Sequence, residues 1–447
     1  MRTGRLEAGL PGPWRPLVCA SVGLLLVAWN AAAWAAGPGA SQGLWVSSWS
    51  TAQQLAPEVP PPPPPKQSPA PRAQAPNASP IPPIPHAVAA QTVRMVAHLS
   101  RGGRQLRVQL ANAEGFSPVV IGAAHIARSA RGVAIIAGTD RVLSFGGRSS
   151  VTIPPGAMVV SDAVDLPVAA EADVAVSLYV PREVHELTNH PLGLHTTYIL
   201  NGDQTAAQNP APLSENRSYF WLADVDVLAE PESAAIAAFG DSITDGYATT
   251  PDANRAWPTL LFERLRGIRG AAAPAVINLG ISGNRVLHDG AGTSALGRFL
   301  PDVLGRPGIR WVVLLEGIND ISFPAIPGTP AAERISAQDL IAGYRMLIAQ
   351  AHLHGIRVMG ATILPWEGVW TFTPSGEEIR EQVNSWIRSP GTFDSVVDLD
   401  AATRDPAHPS RLRAEFDSGD HVHPNDAGNR AMAAAIDLNA FASQGAP

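Results

Sequence analysis

The 447-residue chain contains a single cysteine, Cys19, and it lies in an N-terminal stretch expected to be removed. The mature chain is therefore expected to have no thiol, which excludes a disulfide framework and a thiolate metal site. Basic charge is not in excess either. The 32 Lys and Arg against 39 Asp and Glu give a net charge of −7 and a pI near 5.9, so there is no basic field to neutralise a phosphate backbone, and no nucleic-acid partner is expected. Charged residues make up only 16% of the chain and hydrophobic ones 45%, the balance of a globular protein and not of a disordered one. A long apolar run is also missing. Leu17 to Ala28 is followed closely by Asn30, short of the ~20 continuous apolar residues that a membrane span needs. Arg2, Arg5 and Arg15 before that run, and Ala33-Trp34-Ala35 after it, instead mark a secretory signal cleaved after Ala35. The expected location is secreted or periplasmic, with no stable membrane span after signal removal.

The length is about three times the ~150 residues of an average domain, and three changes of pattern suggest how it divides. Leu44–Trp49 is a short apolar strand candidate. Pro57–Pro85 then holds 14 of the 42 prolines, six of them consecutive at Pro60–Pro65. Proline on that scale cannot enter a helix or sheet interior, so the stretch is expected to be an extended insertion. From Gln91 to Leu228 the pattern has period two. Leu106, Val108 and Leu110 alternate with Arg107 and Gln109, and Val174, Val176, Leu178 and Val180 alternate with Ser177 and Tyr179. Turn clusters such as Arg101-Gly102-Gly103 and Pro154-Pro155-Gly156 separate the runs, which predicts a β-sandwich. Carbohydrate binding, covering a neighbouring site and bracing the fold all remain open as its role.

Beyond Glu230 the pattern becomes short apolar strand, polar turn, amphipathic helix. Strands are predicted at Ile236–Phe239, Val276–Leu279, Trp311–Leu315, Ile356–Thr362 and Val396–Asp398. One helix is marked by the capping pair Ser336 and Asp339, by an apolar face from Leu340 to Ala351, and by Gly355 at its end. Repeating βα units predict a parallel, doubly wound sheet, in which ligands bind beyond the carboxyl ends of the strands. The boundaries expected are a signal peptide at 1–35, a β-sandwich accessory domain at 36–229 with the proline-rich insertion at 57–85, and a catalytic domain at 230–447.

Three strand ends and one C-terminal turn carry chemistry. The first strand runs into Gly240-Asp241-Ser242-Ile243-Thr244-Asp245-Gly246, where a serine on a strand-to-helix turn can expose its hydroxyl. The second ends in Gly280-Ile281-Ser282-Gly283-Asn284 and the third in Glu316-Gly317-Ile318-Asn319-Asp320. A Gly283 N–H can approach a bound group closely, and the Asn319 amide can polarise a carbonyl without adding a proton. With the serine's own N–H these make an oxyanion hole, though each motif alone is also an ordinary tight turn. In Asp417-Ser418-Gly419-Asp420-His421-Val422-His423-Pro424, an Asp three residues before a His can orient the imidazole towards the serine. His421 and His423 are also half of a metal site, but no clustered third and fourth ligands accompany them.

Together these four blocks resemble the GDSL, or SGNH, hydrolase superfamily of esterases and acylhydrolases, over about Ala234 to Leu438. The resemblance implies a flavodoxin-like doubly wound parallel sheet with Ser242 as nucleophile, His423 as general base and Asp420 as its orienting acid. It further implies Ser242, Gly283 and Asn319 as oxyanion donors, and no metal or organic cofactor. The G-x-S-x-G elbow of the larger α/β-hydrolase group is absent. The implied reaction is cleavage of carboxylic esters through an acyl-enzyme, on short to medium acyl chains, lipid or acetylated carbohydrate. An acyltransferase, or a silent carbohydrate-binding protein, is the alternative. The aromatic loop Pro365–Phe372 places Trp366 and Trp370 as candidate substrate contacts, or as packing against the β-rich region.

Overall fold

The structure is a computed structural model that describes residues 43–55 and 83–442. The expected signal segment with Cys19, and all but the end of the proline stretch, lie outside the described residues. The described residues form one compact unit, built on a parallel sheet and an antiparallel region.

Five parallel strands, β1 (Ala235–Gly240), β2 (Ala275–Gly280), β3 (Ile309–Leu315), β4 (Arg357–Ala361) and β5 (Ser395–Val397), lie in the order β2-β1-β3-β4-β5. This is the flavodoxin-like doubly wound arrangement, whose switch point falls between β1 and β3. The apolar runs are continuous because the inner strands are covered on both faces: all six residues of β1 are buried. The register aligns Gly240 with both Gly280 and Leu315, so the three strand ends that carry the sequence motifs finish at one level. Gly240 itself cannot carry a side chain. A Cβ there would sit 2.1 Å from the Leu315 carbonyl oxygen and 2.3 Å from Thr244 Oγ1.

Among the described residues, the longer helices that flank the sheet are α1 (Trp257–Arg269), α2 (Ala337–Leu353), α3 (Pro374–Ile387) and α4 (Asp426–Ala435). α1 packs against α4, and α2 against α3. In α2 the predicted capping box is present, with Ser336 and Asp339 each bonding the other's backbone N–H, and the predicted face from Leu340 to Ala351 is buried. The helix stops at Leu353, just before Gly355 turns the chain with φ of +67°.

The antiparallel region contains two larger sheets. One joins Leu44–Ser50, Leu222–Ala229, Gly103–Ala111, Val164–Val168 and Met158–Val160. The other contains six strands, with Gln91–His98 and Asp173–Val180 at its centre. Leu106, Val108 and Leu110 of the first and Val174, Val176, Leu178 and Val180 of the second belong to one core with the parallel strands. On the central strand the alternating polar position Ser177 is buried too, where its hydroxyl accepts a 2.8 Å hydrogen bond from the buried Arg94 guanidinium.

β2 is the end strand of the parallel sheet, and an unpaired edge invites further strands. Here the antiparallel region covers it. Ser100 Oγ accepts the Val276 N–H at 3.1 Å, and Arg101 donates to the Ala273 carbonyl. Among the described residues no helix is long and apolar enough to cross a membrane.

Candidate active site

Beyond Gly240 the chain turns sharply. Asp241 caps the short helix Ser242–Asp245 by accepting the Ile243 N–H at 2.9 Å, and Gly246 closes it in the left-handed region. The turn holds Ser242 Oγ 2.7 Å from His423 Nε2. His423 Nδ1 in turn lies 2.6 Å from Asp420 Oδ2. Asp420 Oδ1 accepts the N–H groups of His423 at 2.9 Å and Val422 at 3.1 Å, so the same carboxylate shapes the turn and orients the ring. Burial pushes the Asp420 carboxyl up, but the hydrogen bond and charge of His423 with the two N–H groups outweigh it and hold it at about 2. An ionised Asp420 can only accept, so Nδ1 carries the proton and Nε2 is left to accept from the serine hydroxyl.

Gly283 has φ of +81°, a conformation that disfavours any residue with a Cβ. The Asn319 amide donates one hydrogen to the carbonyl of Asn284, the residue after Gly283, at 2.9 Å, and its second N–H is available to a ligand. The two donor motifs are thus tied together, and a third contact ties them to the nucleophile turn: Asp245 Oδ2 accepts from Ser282 N at 3.1 Å and Ser282 Oγ at 2.9 Å.

Three supporting residues are not marked by any sequence pattern described above. Arg298, buried, reaches the carbonyls of Gly240 and Leu279 and Oδ1 of Asn284, each at 2.8 Å. It therefore clamps the ends of β1 and β2. An arginine in a five-residue helix gives no periodic sign of burial. Tyr247 packs its ring 4.4 Å from the His423 ring, and only its place one residue beyond the Gly240–Gly246 block hinted at that. His190, from the antiparallel region, contacts Asp245.

Around the Ser242 turn lie three buried carboxyls. Burial pushes Asp241 up to about 7, against the pull of the Ile243 N–H and His423, with Asp320 adding to the push. Burial likewise pushes Asp320 up to about 6, despite the N–H groups of Val286 and Leu287. Glu316 is held well above the carboxylate range by burial and by Asp241, and neither of its oxygens has a hydrogen-bond partner. A carboxyl whose folded pKa is raised favours folding in its protonated form. That contribution is present below the unfolded pKa and is lost as pH rises towards the folded value. Glu316→Gln removes the titration at nearly constant shape. Melting temperatures at pH 5 and pH 8 should show the variant gaining on the parent as pH rises, whatever constant offset the amide introduces. A difference that does not move with pH would show that Glu316 is not a neutral buried acid.

The other predicted residues separate. Trp366 is 1% exposed, with Nε1 donating to Glu377 at 2.9 Å and its ring 5.0 Å from Phe372. It is a core residue against α3, its indole N–H donating to Glu377 of that helix. Trp370 is half exposed on the same loop. His421 is turned away from His423, its Nδ1 bonded to Asp417 at 2.7 Å, so the two histidines serve different carboxylates. Among the described residues no group of three or more His, Cys, Asp or Glu side chains is placed to hold a metal ion.

Residues 238–431 match the GDSL-like lipase/acylhydrolase family. Similar solved structures include the aryl esterase of M. smegmatis, at 18% identity over 45% of this chain and 96% of that one, with a TM-score of 0.36. A catalytic mutant of an acetylxylan esterase from Geobacillus stearothermophilus is similar at 22% identity over 45% of this chain and 91% of that one, with a TM-score of 0.35. No curated protein matches the chain.

Proposed function

We propose, from the premise that residues 238–431 belong to the GDSL-like lipase/acylhydrolase family and that the chain is a carboxylic ester hydrolase, that Ser242 is its nucleophile, His423 its general base and Asp420 the acid that orients the base. The observation that carries this reading is the unbroken hydrogen-bonded line Ser242 Oγ–His423–Asp420, at 2.7 and 2.6 Å. His423 Nε2 takes the serine proton as Oγ attacks the ester carbonyl carbon. The tetrahedral oxyanion is held by the N–H groups of Ser242 and Gly283 and by the free Asn319 N–H. As the intermediate collapses, His423 returns the proton to the leaving alcohol. A water molecule, deprotonated by the same nitrogen, then releases the acyl group and restores the serine. Asp420, held ionised, stabilises the imidazolium at each stage.

The substrates proposed are esters of short to medium acyl chains, acetylated carbohydrate included. At the donor turn a Cβ built on Gly283 would lie 2.9 Å from Ala291 Cβ and 3.7 Å from Phe323 Cζ, so the turn is closely packed on that side. A p-nitrophenyl acetate to palmitate series, run with and without an alcohol or sugar acceptor, tests both parts. Hydrolysis without acceptor that is fastest at the acetate end supports the reading. Turnover that requires an acceptor would make the protein an acyltransferase, and a rate that climbs towards palmitate would reverse the chain-length assignment.

Asn319→Ala should reduce kcat by ~10²- to 10³-fold with a much smaller change in KM, because a donor aimed at the oxyanion matters most once charge has developed. Steady-state kinetics on p-nitrophenyl acetate check this. A raised KM at unchanged kcat would make Asn319 a ground-state contact only.

A further inference from the structure

We propose that His190 of the antiparallel region is a positioning residue for the oxyanion side of this site, acting through Asp245 on the Ser282-Gly283 turn; the proposal rests on the assignment of Ser242 and Gly283 given above. His190 ends the strand Thr188–His190 and is buried, 3% exposed. Its Nδ1 lies 2.8 Å from the Ala52 carbonyl oxygen and its Nε2 3.0 Å from Asp245 Oδ1. A backbone carbonyl can only accept, and Asp245 accepts from Ser282 twice through its other oxygen. Both ring nitrogens therefore face acceptors, so the ring bonds both only as the doubly protonated imidazolium. Burial works against that charge. The Asp245 carboxylate and the carbonyls of Ala52 and Leu192 overcome it and raise the imidazole above its ordinary value.

The position of Asp245 makes the pair consequential. It is the last residue of the helix that Ser242 begins, and Asn278 Nδ2 anchors that end through the carbonyls of Thr244 and Asp245 at 2.9 and 3.2 Å. From there its carboxylate holds the N–H and hydroxyl of Ser282, one residue before the proposed oxyanion donor. Nucleophile turn and donor turn are thus spaced by a single buried carboxylate, and His190 is its countercharge. Removing the countercharge leaves a buried anion uncompensated. The carboxylate then turns to whatever donor it can find and releases Ser282. The pair also borders a cavity of about 80 Å³ shared with His98, His195 and Arg255, room enough for water to enter the space of a deleted ring without collapse of the fold. Misplacement of a reacting group by ~1 Å can cost ~10²-fold in rate, and the effect falls on the transition state, where the donor turn acts.

The test uses the full chain and four variants: His190→Ala, His190→Gln, Ser282→Ala, and His190→Ala combined with Ser282→Ala. Each is titrated to completion with an organophosphate, which counts reactive serines, and then assayed on p-nitrophenyl acetate. His190→Ala should keep parent labelling stoichiometry and KM within about threefold while kcat falls by ~10- to 100-fold. His190→Gln, whose amide can still donate to Asp245, should recover part of that loss. The double variant should be no slower than His190→Ala alone, since both changes break one path. Parent-like kcat in His190→Ala, or losses that multiply in the double variant, overturns the proposal. If His190→Ala does not fold, the same cycle is run with His190→Gln, and multiplying losses, or a parent-like kcat in both single variants, overturn it equally. A parent that takes up no label at Ser242 would instead sink the nucleophile assignment, which keeps the two failures apart.

Discussion

Ser242→Ala should lower kcat on p-nitrophenyl acetate by ~10³-fold or more and abolish labelling by an organophosphate, with the melting temperature close to that of the parent. The activity loss follows from the geometry. Ser242 Oγ is the one oxygen bonded to His423 Nε2, and without it the base has only water to activate. Residual turnover would come from the oxyanion donors, which the substitution leaves in place. Stability is spared because the turn does not depend on the hydroxyl. Asp241 caps it through the Ile243 N–H, Gly246 closes it, and the Arg298 clamp grips backbone carbonyls on either side. Alanine also removes a hydroxyl whose only side-chain partner among the described residues is His423. Near-parent turnover in Ser242→Ala would falsify the assignment.

What the sequence reveals and what it hides follows from how far apart the interacting residues lie. The five parallel strands are legible to within one or two residues, since burial of the inner strands on both faces makes them largely apolar runs between polar turns. Ile236–Phe239 is expected and Ala235–Gly240 observed; Ile356–Thr362 is expected and Arg357–Ala361 observed. The Asp420–His423 pair is legible for a similar reason. It is a local turn, and the carboxylate that orients the ring also accepts the histidine's own N–H. The strand order of the antiparallel region is not legible. Leu44–Ser50 pairs with Leu222–Ala229, and Gln91–His98 with Asp173–Val180, pairings that local pattern does not encode. Trp366 shows a different limit. An aromatic loop reads alike whether it lines a pocket or fills a core, and the contact that local pattern does not show is with the part-buried Glu377 carboxylate one helix turn into α3. His190 is hidden most completely, because nothing in a three-residue strand announces that both ring nitrogens will meet acceptors from other parts of the chain.

His423→Ala should remove ~10³-fold or more of kcat, whereas His421→Ala should stay within about tenfold of the parent. Two histidines separated by one residue make this a sharp comparison, in which the three-residue offset from Asp420 favours His423. The backbone decides between them. His421 sits at φ of +69°, which swings its ring out to Asp417 and leaves the side chain 51% exposed. His423 turns inward, 17% exposed, between Asp420 and Ser242, with the Tyr247 ring tilted against it at 4.4 Å. Only His423 can move a proton between the serine and the substrate. Its partner should show the same dependence: Asp420→Asn should cost ~10³- to 10⁴-fold, since an amide can donate to Nδ1 and hold the proton on Nε2, where it blocks the serine. The pH dependence has a definite sign. Asp420 is held at about 2 in the folded protein, below its unfolded value of ~3.9. Its stabilising contribution is therefore complete above the unfolded value and is lost as pH falls through about 2. Acid unfolding of the parent should accordingly steepen in that window, and Asp420→Asn should flatten it. A larger loss in His421→Ala than in His423→Ala would reverse the choice of base. Activity that vanishes on chelation and returns with zinc would replace the serine mechanism with a metal one.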